Sequence, residues 1–141
     1  MVGLILFSHS GLAEAFREVL QAVAGPQEQL VALGLGPEIS VEQQERRLEE
    51  AIPVVDDGDG VVIVTDLFGG SPANTSLARM RPGKVEVVSG LNLAMLLKAL
   101  DLRNHRISSP VEMARAMVRE GRENIVQASE FLESNPDRES T

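Results

Sequence analysis

Two residues distant in sequence have the types that nucleophilic transfer to phosphorus requires. His9 follows the apolar run Val2 to Phe7, and Asp66 follows Val61-Val62-Ile63-Val64-Thr65. An imidazole titrates near pH 6.5 and can attack phosphorus at neutral pH. A carboxylate beside it accepts a proton from one ring nitrogen, fixes the tautomer and leaves the other nitrogen free. Alone, a histidine in a loop is more often structural or simply exposed, and an aspartate is more often a cap or turn former. Leaving adjacent strands side by side, they acquire the logic of a catalytic dyad.

A second stretch supplies a place for an anion. Gly69 and Gly70 allow backbone amides close to a ligand, Ser71 suits a helix N-cap, and Pro72 suits the first helical position. Free amides at a helix start bind anions. The helix dipole contributes only about 0.3–1 kcal/mol when exposed, whereas positioning supplies roughly 7–11 kcal/mol, so such a cradle acts mainly by placing the group. Ser10 offers another candidate cap and anion contact. The competing reading is two well-made helix starts, and His9 and Asp66 tip the balance away from it.

Other motifs are weaker. Gly34-Leu35-Gly36 lacks the third glycine of a dinucleotide fingerprint, with Ile39 in its place. Asp56-Asp57-Gly58-Asp59-Gly60 starts like a calcium loop, but Phe68 stands where a bidentate glutamate is due. His105 lies in a polar loop and reads as surface. With two histidines and no cysteine, neither a metal site nor any other cofactor is expected, and no Gly-Lys-Ser/Thr motif supports ATP hydrolysis.

The elements that must position these residues follow from hydrophobic periodicity. Apolar runs at Val2–Phe7, Leu30–Leu35, Val61–Val64 and Val85–Val88 read as strands. Between them, Leu12, Phe16, Val19, Leu20 and Val23 recur at helical spacing. Ser40 and Gln43 form a capping box ahead of a stripe of Val41, Leu48, Ala51 and Ile52. Helices are expected over Pro72–Met80 and Leu91–Leu100. A last long helix follows Ser109-Pro110-Val111-Glu112, with Val111, Ala114, Val118, Ile125, Ala128 and Leu132 on one face and a possible break at Gly121. The pattern predicts an α/β fold: a doubly wound, mainly parallel sheet of four to five strands in order 2-1-3-4, with helices on both faces. In such sheets ligands bind beyond the carboxyl ends of the strands where the order reverses, here between strands 1 and 3, where His9 and Asp66 emerge. Residues 1–133 read as one domain and 134–141 as a frayed tail.

Composition narrows the partners. The 141 residues carry 13 basic and 21 acidic side chains, a net charge of −8. That balance argues against a sequence-independent grip on nucleic acid or anionic membrane. No segment approaches the roughly 20 apolar residues of a membrane span, and a cytoplasmic protein is expected.

Three segments together resemble the enzyme IIA domains of the mannose class of the bacterial phosphoenolpyruvate-dependent sugar phosphotransferase system. They are Phe7-Ser8-His9-Ser10-Gly11, the more specific run Thr65 to Asn74, and Ser89-Gly90-Leu91-Asn92-Leu93-Ala94-Met95-Leu96-Leu97. The resemblance covers about residues 1–130. It implies that His9 accepts a phosphoryl group from the phosphocarrier HPr and donates it to a histidine of a separate enzyme IIB. It also implies that Asp66 holds the His9 ring, that Ser71 contacts the phosphoryl group, and that the protein is a homodimer. Ser10 departs from the family, in which glycine commonly follows the histidine. Ser-His-Ser is similar to the phosphocarrier subunit of the phosphotransferase-dependent dihydroxyacetone kinase, which does not usually carry Gly-Gly-Ser-Pro.

Three other classes stand beside transport. A regulatory module would have its phosphohistidine state read by another protein rather than passed to sugar. A receiver-like domain phosphorylated on Asp66 lacks the acidic pair for magnesium after strand 1, and a histidine phosphatase lacks an arginine beside His9.

Overall fold

In the computed structural model, residues 1–106 and 109–137 are described. Four strands form one sheet: β1 (Gly3–His9), β2 (Leu30–Leu35), β3 (Val61–Thr65) and β4 (Val85–Ser89), all parallel, in order β2-β1-β3-β4. The expected order is borne out, with four strands rather than five among the described residues. The helices are α1 (Leu12–Ala24), α2 (Val41–Val55), α3 (Ser71–Leu77), α4 (Leu93–Asn104), α5 (Pro110–Glu123) and α6 (Ala128–Ser134).

Strand alternation divides the core in two. Leu4 and Leu6 of β1 and Val62 and Val64 of β3 face one layer, where they pack with Leu20 of α1, Leu96 and Leu100 of α4, and Met113 and Met117 of α5. Ile5, Phe7, Val61 and Ile63 face the other layer against Leu48, Ala51 and Val55 of α2. Because both faces are covered, β1 and β3 are near-continuous apolar runs, which is why they are so legible. Each of the fully buried Val, Leu, Ile, Phe and Met side chains among these contributes roughly 1.5–3 kcal/mol relative to exposure.

Helix boundaries follow their caps. The Ser40–Gln43 capping box is present. The Ser109 hydroxyl accepts from the Glu112 amide at the start of α5. Asn92 caps α4, which therefore runs Leu93–Asn104 rather than Leu91–Leu100. The expected helix Pro72–Met80 is the shorter α3. The last long helix does break, but after Glu123 rather than at Gly121, and Ile125 is 77% exposed instead of sharing the buried face. Gly121 is buried inside α5, where its carbonyl accepts a hydrogen bond from the Asn92 side chain. Of the tail expected to fray from residue 134, Ser134 still closes α6, and residues 138–141 lie outside the described residues.

Candidate functional site

The sheet register brings the two site segments together. Phe7 pairs with Thr65, so Ser8-His9 and Asp66 leave β1 and β3 side by side at the carboxyl edge. That is the predicted reversal point, since β2 and β3 flank β1 on opposite sides. The Asp66 Oδ2 accepts twice from His9: from ring Nδ1 at 2.9 Å and from the backbone amide at 3.0 Å. One carboxylate oxygen thus fixes both the ring and its strand end. Asp66 is only 12% exposed, whereas His9 is 50% exposed. Burial pushes the Asp66 carboxyl up, but the His9 ring, the His9 amide and the imidazole charge together hold it below the ordinary carboxylate range. An ionised Asp66 requires the proton on Nδ1, so neutral His9 keeps an unprotonated lone pair on Nε2. The remaining Asp66 oxygen, Oδ1, is buried and has no hydrogen-bond partner.

The free face of the ring meets Gly70. A Cβ at residue 70 would lie 2.7 Å from His9 Cε1 and 3.3 Å from Nε2, so only a glycine leaves that face open. Gly69, at φ +95°, makes the turn into α3. Gly70, not Ser71, occupies the N-cap position; its extended backbone ends the loop, and Ser71 is the first helical residue. Ser71 is exposed and borders a cleft between α2 and α3 with Gln44 and Asn74.

At the other helix start, Gly11 rather than Ser10 occupies the N-cap position. Ser10 sits at φ +47°, a left-handed conformation unusual for a residue with a Cβ, and its amide bonds the Leu35 carbonyl at 2.7 Å. The α1 start is satisfied instead by Ser8, whose buried hydroxyl accepts from the Ala13 amide at 2.7 Å and donates to the His9 carbonyl at 3.1 Å. Sequence reasoning missed Ser8; the signal was a polar residue closing an otherwise apolar strand. A second missed support is the Thr65–Ser89 hydroxyl pair at 2.7 Å, which joins β3 to β4 directly before Asp66.

Two of the weaker motifs, His105 and the Asp56–Gly60 turn, stay apart from this site. His105 is exposed, with its ring nitrogen on the Asp101 carbonyl. The Asp56 carboxylate is occupied by the Gly58 and Gly60 amides. Among the described residues no group of three or more His, Asp or Glu side chains could hold a metal ion, and no helix is long and apolar enough to cross a membrane. The site combines a half-exposed imidazole, a largely buried carboxylate that orients its ring, and an unobstructed backbone approach.

Known proteins share this arrangement of elements. The chain is 27% identical to a phosphotransferase system component EIIA from Streptococcus agalactiae, with a TM-score of 0.81 over 92% of this chain and 98% of that one. It is 24% identical over 106 residues to the PTS system fructose-specific EIIA component of Bacillus subtilis, covering 74% of this chain and 73% of the relative. It is 29% identical over 110 residues to the PTS system sorbose-specific EIIA component of Lacticaseibacillus casei, covering 77% and 79%. The family model EIIA-man, described as PTS system fructose IIA component, matches residues 3–117. The chain belongs to this EIIA-man family, the IIA components of the mannose and fructose type in the sugar phosphotransferase system.

Proposed function

We propose that His9 is the phosphoryl acceptor and donor of a cytoplasmic relay in sugar uptake, charged by phospho-HPr and discharged to a histidine of a separate enzyme IIB. The observation that carries this reading is the division of labour on the ring: Nδ1 is held by Asp66 while Nε2 faces the bare backbone of Gly70. In the forward step, Nε2 attacks phosphorus in line, the new N–P bond forms as the donor's N–P bond breaks, and the departing imidazole keeps the electron pair. The proton on Nδ1 stays in place, and Asp66 stabilises the positive charge that spreads over the ring. Gly69, Gly70, Ser71 and Ser10 are the proposed contacts of the phosphoryl oxygens, through amides at the start of α3 and hydroxyls at the rim. Catalysis then rests on positioning and preorganised donors, with no cofactor required.

Incubation with phosphoenolpyruvate, enzyme I and HPr tests this directly. Wild-type protein is expected to take up acid-labile, alkali-stable label on His9, and to lose it on adding a IIB acceptor. Label that persists in His9→Ala overturns the assignment. The homodimer belongs to the same proposal. It is supported by β4, one of the two edge strands, beside which Val87 and Val88 share a groove with Ala114 and Val118 of α5, rimmed by Arg115, Arg119 and Arg122. Light scattering at micromolar concentration is expected to give twice the chain mass of 15.2 kDa.

A further inference from the structure

A second cleft, of about 270 Å³, opens at the opposite end of the sheet from His9. It lies between the last turns of α2 and α3 and the start of β4, so the length of β4 alone, roughly 16 Å, separates it from the catalytic edge. Three cations border it: Arg79, Arg81 and Lys84. Two acids also border it, but neither cancels them all. Glu49 pairs with Arg79, and Asp56 spends its Oδ1 on the Gly58 and Gly60 amides. Arg81 and Lys84 have no ion pair among the described residues, although the chain as a whole carries −8. Their placement is fixed by the turn between them, where the Lys84 and Val85 amides bond the Arg81 carbonyl and the Arg81 amide bonds the Val85 carbonyl.

The cleft also has one unmet donor, and its α2 wall has a carbonyl without its usual helical donor. Arg79 Nε is buried and has no partner, a destabilising arrangement unless an acceptor arrives. Pro53, inside α2, has no N–H to give, so the Glu49 carbonyl one turn earlier loses its helical hydrogen bond. A bare anion would answer the cations and Arg79 but not the carbonyl. A ligand carrying both a dianionic phosphate and hydroxyl groups answers all of them.

We propose that this cleft binds a small hydroxylated phosphate monoester, of the sugar phosphate class, at a site separate from His9. Amide-resolved NMR titration of the full chain at constant ionic strength tests it, with glucose 6-phosphate, inorganic phosphate and glucose as separate probes. Glucose 6-phosphate is expected to give saturable shifts at Arg79, Arg81 and Lys84 with millimolar or tighter affinity. Inorganic phosphate should bind at least threefold more weakly, and glucose not at all. In Arg81→Gln/Lys84→Gln the affinity should fall at least tenfold, while phosphoryl uptake on His9 without ligand is unchanged. Both side chains are exposed, and wild-type signals from the core will establish that the variant is folded. Equal binding of inorganic phosphate, shifts confined to the His9–Gly70 region, undiminished binding in the variant, or no saturation by about 10 mM each overturns the proposal. The outcome is independent of the relay reading, because His9→Ala should bind the ester as wild type does.

Discussion

Asp66 does two things with one oxygen, and its two substitutions separate them. Asp66→Asn keeps an acceptor of the same shape but removes the charge that favours a proton on Nδ1 and stabilises a charged ring. Phosphoryl uptake by this variant should fall by roughly 10²-fold or more, with the fold intact by circular dichroism. The same carboxyl sets an acid limit on stability. Its pKa in the folded protein is below the ordinary value because His9 donates to it. A depressed carboxyl stabilises the fold above its unfolded pKa, near 3.9, and that contribution disappears as pH falls through the lower folded value. Wild-type stability should therefore drop more steeply than that of Asp66→Asn as denaturant titrations are moved below about pH 4. Parallel curves would mean that the hydrogen bonds do not favour the ionised carboxyl. Gly70 gives the complementary steric test. Its backbone, at φ −82° and ψ 173°, is open to alanine, so strain is not the issue. The methyl would press on Cε1 and stand over Nε2. Gly70→Ala should remain folded and lose at least 10²-fold in transfer rate, read by rapid-quench labelling.

At the scale of elements, legibility tracked burial. β1 and β3, covered on both faces, are visible in the sequence as apolar runs, and the strand order expected from them places His9 beside Asp66. α1 is legible in existence but only partly in orientation: of its expected stripe Leu20 is buried and Phe16 packs on the core, whereas Leu12, Val19 and Val23 are exposed and the buried Ala13 lies outside the stripe. Periodicity finds a stripe, but with apolar residues this dense it does not say which side faces the sheet. The caps at Ser71 and Ser10 were misplaced for a different reason. Propensity ranks serine above glycine as an N-cap, but both loops turn at a backbone position next to the site, where a glycine is used instead. The break after Glu123 was misassigned because Gly121 is the weaker helix former by type, whereas its neighbours decide the matter. A Cβ at residue 121 would lie 2.9 Å from Met95 Cε and 3.3 Å from Asn92 Nδ2. Helix propensity alone makes Gly121→Ala stabilising by about 1 kcal/mol. Crowding the buried Met95 and the Asn92 cap should reverse the sign, giving a net loss of about 1–2 kcal/mol by urea denaturation. A stabilised variant would show that the α4–α5 contact yields easily.

For the whole molecule, the relevant quantities are the charge and what surrounds the half-exposed His9. Next to Asp66 in sequence, Leu67 and Phe68 are exposed, the latter by 74%, and Leu12 emerges at 43% from the other site segment. Glu14 near the start of α1 and Glu42 in the first turn of α2 are also exposed. Exposed apolar side chains on the site segments of an acidic molecule separate two contributions to partner docking: burial of Phe68 sets how long a complex lasts, and the net charge of −8 sets how fast it forms. A partner with a basic or mixed-charge face is steered to this edge, and steering weakens as salt shortens the Debye length from about 30 Å at 0.01 M to about 8 Å at 0.15 M. The second-order rate of phosphoryl transfer from HPr should accordingly fall several-fold over that range, while the single-turnover rate at saturating donor stays constant. Phe68→Ala should show the converse, weakening the saturable step with its salt dependence preserved. A second-order rate indifferent to salt, or one that rises with it, would mean that the acidic surface plays no part in recruiting the donor, and that the exposed apolar side chains of the site segments must do so alone.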